Sequence, residues 1–109
     1  MSEAPSDVLT KMLKKAREDG KKKEVWTEIF NTLEEWGDDP QLVNRRTLDH
    51  GHALLHLAAM HGNRTACLSL VDRFGANPLQ TARDGHLPSD IAAQYQHMGL
   101  VPLLILMEW

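Results

Sequence analysis

The sequence predicts an all-α fold built from stacked helix-turn-helix units. Three observations carry that expectation: apolar residues recur at helical spacing, Gly and Pro punctuate the periodic segments, and one unit recurs along the chain. A length of 109 residues leaves room for one small domain and little for a second. Hydrophobic residues at 42% and charged residues at 25% argue against wholesale disorder.

Taken in order, the first helix is expected to start at a Ser6 N-cap, run to about Asp19 and stop at Gly20. Val8, Leu9, Met12, Leu13 and Ala16 share one face, and Lys11, Lys14, Lys15 and Glu18 the other. A second helix begins near Lys23 and ends before Gly37, with Val25, Trp26, Ile29, Phe30, Leu33 and Trp36 on one broad arc. "GDDPQLVNRRTLDHG" reads as a loop. The short helix "LLHLAAM" is apolar almost all round, as a helix sandwiched between neighbours should be, and Gly62 is suited to the left-handed conformation that ends it. The longer helix that follows buries Ala66, Cys67, Leu70, Val71 and Phe74. Pro102 is tolerated only in a first turn, so the last helix starts near Val101. There Leu100, Leu103, Leu104 and Met107 form the inward stripe, leaving Val101, Ile105 and Trp109 on another side with Leu106 between.

Self-similarity sets the unit boundaries. "DHGHALLHLAAMHG" aligns with "RDGHLPSDIAAQYQ" at an offset of 34, pairing Gly51 with Gly85, His52 with His86 and Ala58 with Ala92. "GDDP" and "GANP" echo each other at an offset of 38. No single unit covers its own apolar faces, so the units must stack.

These residues resemble the ankyrin repeat. "GHALLHLAAMHGN" is similar to that family's G-x-T-P-L-H-x-A-A-x-x-G-H signature, and "GHLPSDIAA" to its common terminal variant. Ala53 and Leu54 stand where Thr and Pro are usual, Asn63 replaces a His, Gln96 occupies the place equivalent to Gly62, and one extra residue lengthens the helix ending at Phe74. The resemblance implies an ankyrin-repeat solenoid of stacked helix-turn-helix units with short β-hairpin-like finger loops. Its parts would be a degenerate N-terminal capping repeat at 6–43, a central repeat at 44–79 and a C-terminal repeat at 80–109.

Four imidazoles, His50, His52, His56 and His61, crowd into twelve positions. His52 and His56 have the i, i+4 spacing of helical zinc ligands, but Gly51 to Leu54 belong to a turn that breaks such a helix. The family resemblance makes His56 a buried structural residue, while His50, His52 and His61 are expected to be exposed and spread out. Cys67 sits in an apolar helical setting where a thiol is usually inert. "KKAREDGKKK" is broken by acidic residues and lacks aromatics, so a solvated face is favoured over nucleic-acid binding. With no phosphate loop, nucleophile elbow or paired-carboxylate pattern, no enzyme and no cofactor are expected.

The function implied by the resemblance is a non-catalytic protein-interaction module. Its contacts would be Asp49, His50 and His52 on one finger, Arg83, Asp84 and His86 on the next, and Met60, His61, Gln94 and Tyr95 on the short helices. The alternative is a histidine-based metal- or small-molecule-binding protein. Val101, Ile105 and Trp109 form an apolar patch expected either to fold back on its own repeat or to dock a partner or second copy as a homodimer. The absence of a signal-peptide h-region and the single cysteine point to the cytoplasm, with the nucleus as a second compartment, and no segment is apolar enough to cross a membrane.

Overall fold

The middle of the structure is a seven-residue helix with no exposed side. The computed structural model describes residues 5–35, 40–47 and 49–108, and there the chain is all-helical with no strand. The elements in chain order are α1 (Pro5–Asp19), α2 (Lys23–Glu35), α3 (Pro40–Val43), α4 (Leu54–Met60), α5 (Arg64–Phe74), α6 (Pro88–Gln94) and α7 (Val101–Met107). Every residue of α4 is buried, and Ala58 and Ala59 are fully so. Their small side chains let α1, α5 and α6 all pack closely against it. A helix this short is marginal by itself, so its stability comes from that packing.

On one side α1 presents Leu9, Met12, Leu13 and Ala16 to the core, and α2 adds Val25, Trp26, Ile29 and Leu33. The Trp26 indole N–H donates to the Gly20 carbonyl at 2.8 Å, which holds the α1–α2 corner. Phe30 stacks on Phe74 of α5 with ring centroids 5.7 Å apart, and Glu34 forms an ion pair with Arg73 beside it. On the other side α6 packs on α4 and α7 on α6, with Leu100 and Leu104 buried.

The internal repeat has a geometric counterpart. Thr47 N–H donates to the His52 carbonyl at 2.9 Å, and Ala82 N–H to the His86 carbonyl at 2.8 Å, closing two similar turns around Gly51 and Gly85. The turns are joined by Arg83 N–H donating to the His50 carbonyl at 2.9 Å. That approach requires glycine at 51, where a Cβ would lie 2.7 Å from the Arg83 nitrogen. Asn44 clasps the next connection: its amide donates to the Gly75 carbonyl at 3.1 Å and its side-chain oxygen accepts from Asn77 N–H at 2.7 Å.

Two expectations need correction. The segment read as a plain loop contains α3, which buries Val43 and packs on α5. The chain is already helical at Pro5, so Ser6 lies inside the first turn and not before it; Pro is well suited to that first turn because it lacks an N–H to satisfy. The end of α2 at Trp36 and the "GDD" of the first echo lie outside the described residues.

The helix ends reveal a specific strain. Gly62 and Gln96 occupy equivalent positions after α4 and α6 and take the same left-handed backbone, at φ of 68° and 65°. The next amides, Asn63 and His97, donate back to Ala58 and Ala92 at 3.0 and 2.8 Å. A residue with a Cβ pays about 1 kcal/mol for that conformation. Gln96→Gly is therefore expected to stabilise the fold by up to about 1 kcal/mol and raise Tm, with thermal unfolding as the measurement; an unchanged or lower Tm would show that the Gln96 backbone is unstrained.

Candidate interaction groove

Six histidines divide into three structural roles. His56, fully buried at the third position of α4, accepts from Ala53 N–H through Nδ1 at 3.1 Å. In the next unit Asp90 does the same work, accepting from Leu87 N–H at 2.9 Å. With Nδ1 accepting, the proton of neutral His56 resides on Nε2, which is sealed in the core facing the carbonyls of Gln80 and His86 without good hydrogen-bond geometry. His61 and His97 form the second class. Their Nε2 atoms lie 3.0 Å from the carbonyls of Arg17 and Met60 respectively, each at the end of a helix in the preceding unit. A carbonyl only accepts, so both imidazoles donate.

The remaining three belong to the turns. His50 stacks on His52 with centroids 5.4 Å apart, and His52 stacks on His56 at 5.7 Å, a ladder of rings leading from the surface to the core. His50 is exposed as expected, but His52 is not: it is only 8% exposed, because the turn at Gly51 folds it back over the start of α4. His61 is half-buried with its ring nitrogen engaged, so it is a strap between units and not a free contact. His86 lies outside the groove described next, paired to Asp84 at 2.8 Å and meeting the Gln94 amide at 3.2 Å.

A groove of about 480 Å³ opens between the turns and the short helices. Asp49, His50 and His52 from the first turn and Arg83 and Asp84 from the second line one side. Met60, Gln94 and Tyr95 line the other, where Tyr95 is half exposed. Met60 is 7% exposed, a core residue that shows an edge to the groove. The sequence reading missed two lining residues, Arg17 and Ile91. Ile91 was legible as an apolar position of α6 but not as a groove wall. Arg17 sits at the margin of the α1 apolar face, and only the packing of α1 on α4 brings it here.

The carboxylates of the groove are held ionised by their own turns. His50 N–H donates to Asp49 at 2.6 Å, and with the Thr47 hydroxyl it lowers the Asp49 pKa below the ordinary carboxylate value. His86 N–H does the same for Asp84 at 3.2 Å. Burial lowers the His52 pKa below its ordinary value, with Arg17 and His50 acting in the same sense and Asp84 and Asp49 opposing. Burial pushes His56 further, to about 4. The Cys67 thiol is raised to about 12 by burial, far from a thiolate nucleophile at neutral pH. Among the described residues no three His, Cys, Asp or Glu side chains are grouped to hold a metal ion, and no helix is long and apolar enough to cross a membrane.

The C-terminal patch is only partly as expected. Ile105 is exposed, Val101 is half-buried and packs against the core, and Trp109 lies outside the described residues. Leu106, expected between the two faces, is the more exposed residue at 71%. No protein-family model matches the chain, and no curated protein matches it significantly.

Burial of neutral His56 ties stability to pH. Because its folded pKa lies near 4, below the unfolded value of 6.5, its contribution is complete above pH 6.5 and is lost as pH falls toward 4. Each unit of pH in that window costs about 1.4 kcal/mol, so roughly 3 kcal/mol should disappear from this group. Urea unfolding as a function of pH measures it: His56→Asn should start less stable yet show a flatter acid slope, and an unaltered slope would assign the acid sensitivity elsewhere.

Proposed function

We propose that the chain is a non-catalytic interaction module of the ankyrin-repeat kind, with three stacked units, that takes a protein partner in the groove between its turns and short helices. One observation carries the reading: residues far apart in sequence, from two successive turns and two successive short helices, meet on the walls of one groove. Loops fixed to a rigid scaffold are suited to recognition, and here the turns are bonded both to each other and to the helices beneath them. A groove with an exposed tyrosine at its edge and fixed charges on its walls has the composition of a binding hot spot. The residues that most resemble catalytic groups have structural roles instead: His56 caps a helix and Cys67 is a buried neutral thiol.

Tyr95 and Gln94 are exposed, so their loss should affect binding and not folding. Affinity capture of the cellular partner followed by titration of the recovered protein should show Tyr95→Ala with Gln94→Ala weakening binding at least about tenfold, equivalent to about 1.4 kcal/mol, with Tm nearly unchanged. If that pair binds normally while charge reversal at Lys14, Lys15 and Lys22 abolishes capture, the basic N-terminal face is the interface and the groove reading fails.

A further inference from the structure

We propose that a second pocket, at the junction of the two turns and lined by Arg45, Arg46 and Arg83, binds the phosphate of a phosphorylated Ser or Thr on a protein partner. It lies outside the groove and shares only Arg83 with it, so it adds a separate contact to the interaction module.

The pocket measures about 350 Å³ and is lined by Arg45, Arg46, Thr47, Gly51 and Arg83. Three of these residues are positively charged and none is negative, in a chain whose net charge is -3. Like charges gathered in one concavity repel each other and favour an anion between them. All three arginines are exposed, so a ligand reaches them from solvent. The carboxylates of the neighbouring turns answer to other groups, Asp49 to His50, Thr47 and Arg17, and Asp84 to His86.

Backbone acceptors set where two of the charges stand. Arg46 donates through Nη1 to the Thr81 carbonyl at 2.9 Å, and Arg83 through Nη1 to the Asp49 carbonyl at 3.3 Å. The two bonds run in opposite directions between the segments that the Arg83 N–H to His50 bond already joins. A guanidinium has five N–H donors, so the bond to Thr81 positions Arg46 and leaves donors for a ligand. Arg83 has further contacts of its own and contributes its charge. Among the described residues nothing bonds the Arg45 side chain. The Thr47 hydroxyl is committed, accepting from His52 N–H at 3.1 Å and donating to Asp49, so the donors are those of the arginines.

A phosphate monoester fits this set better than other anions. It carries about -1.5 to -2 charges at pH 7 and three acceptor oxygens, enough to engage more than one guanidinium at once. A carboxylate brings one charge and two oxygens. A nucleic-acid strand calls for a basic track interleaved with aromatic faces, whereas this pocket is compact and has no aromatic wall.

The probe is a capped Gly/Ser-rich peptide with one central phosphoserine, titrated into the full chain at low ionic strength, where screening is weak. Controls are the unphosphorylated peptide, its glutamate counterpart, inorganic phosphate and oligo-thymidylate. Arginine Nε–Hε resonances, followed by NMR, report which guanidinium is occupied. The phosphopeptide should shift those of Arg45 and Arg46, the unphosphorylated peptide should shift neither, and the glutamate peptide should bind at least about tenfold more weakly. Arg45→Gln should weaken phosphopeptide binding at least about fivefold with Tm nearly unchanged, and Arg46→Lys, which keeps the charge and loses the fork, should weaken it as well. Lys14→Gln removes the same charge from an exposed position on α1 and should leave binding unaltered. Unmoved Arg45 and Arg46 resonances, or equal losses from Arg45→Gln and Lys14→Gln, would overturn the proposal. Tighter binding of oligo-thymidylate through the same arginines would make the pocket a nucleic-acid contact, and inorganic phosphate binding as tightly as the peptide would remove the protein source. Tyr95→Ala with Gln94→Ala should leave phosphopeptide binding intact; its loss there would move the phosphate into the groove, whereas failure of the arginine variants alone leaves the groove reading standing.

Discussion

Burial of α4 on every side is the constraint from which the rest of the structure follows. A helix of seven residues, surrounded by protein, has terminal N–H and C=O groups that water cannot reach and side chains that offer little compensation. The chain meets the N-terminal need from within, through His56 to Ala53 N–H. The C-terminal need is met from the next unit, through the His97 ring to the Met60 carbonyl. The same device recurs one step earlier, where His61 reaches the Arg17 carbonyl at the end of α1. The packing is therefore directional: His61 and His97 each reach back to the end of an earlier helix. Removal of one unit would expose apolar surface and also leave a helix end unsatisfied.

Much of this was legible because the relevant signals are local. The periods of α1 and α2, the nearly continuous apolar run of α4, and the glycines at 51 and 85 depend on sequence neighbours alone. Gln96 was recognisable as the odd member of an otherwise repeated position, and its φ of 65° shows that the repeat imposed the backbone against the preference of the residue. What was missed involves groups that meet across units. The Arg17 side chain on the groove wall, the strap from His61 and the shielding of His52 by the folded turn each join segments from different packing layers. Periodicity identifies which face of a helix is buried but says little about the residues at its margin, and Arg17 is such a residue. α3 escaped for another reason. Four residues beginning with Pro are too short for a period, and Val43 supplies the burial that makes them a helix.

The groove inherits its rigidity from the same backbone connections. Arg83 N–H to the His50 carbonyl locks one turn to the next, and Asn44 fixes the connection that precedes the second turn. The charged side chains consequently project from a backbone that is fixed on both sides of the groove. His52 carries two opposing contributions to stability. Its ring fills the space between His50 and His56, so it contributes packing, yet its unpartnered nitrogen is unfavourable in an apolar setting.

The first two helices and the last one differ in how they treat their outer faces, and the difference is physical. Helices α1 and α2 are amphipathic, with lysines and glutamates outward and a cross-helix pair between Lys15 and Glu28 at 2.9 Å. Such a face gives water charged groups to solvate. At the other end α7 turns Leu100 and Leu104 inward but leaves Ile105 and Leu106 exposed, with Met98 nearby in sequence also exposed. Seven residues starting with Val101 and Pro102 and rich in Leu offer few polar side chains for an outer face, so inward packing of one stripe necessarily leaves another apolar stripe outward. The solvated outer face is thus a property of the long helices α1 and α2, and the short α7 lacks the composition to provide one.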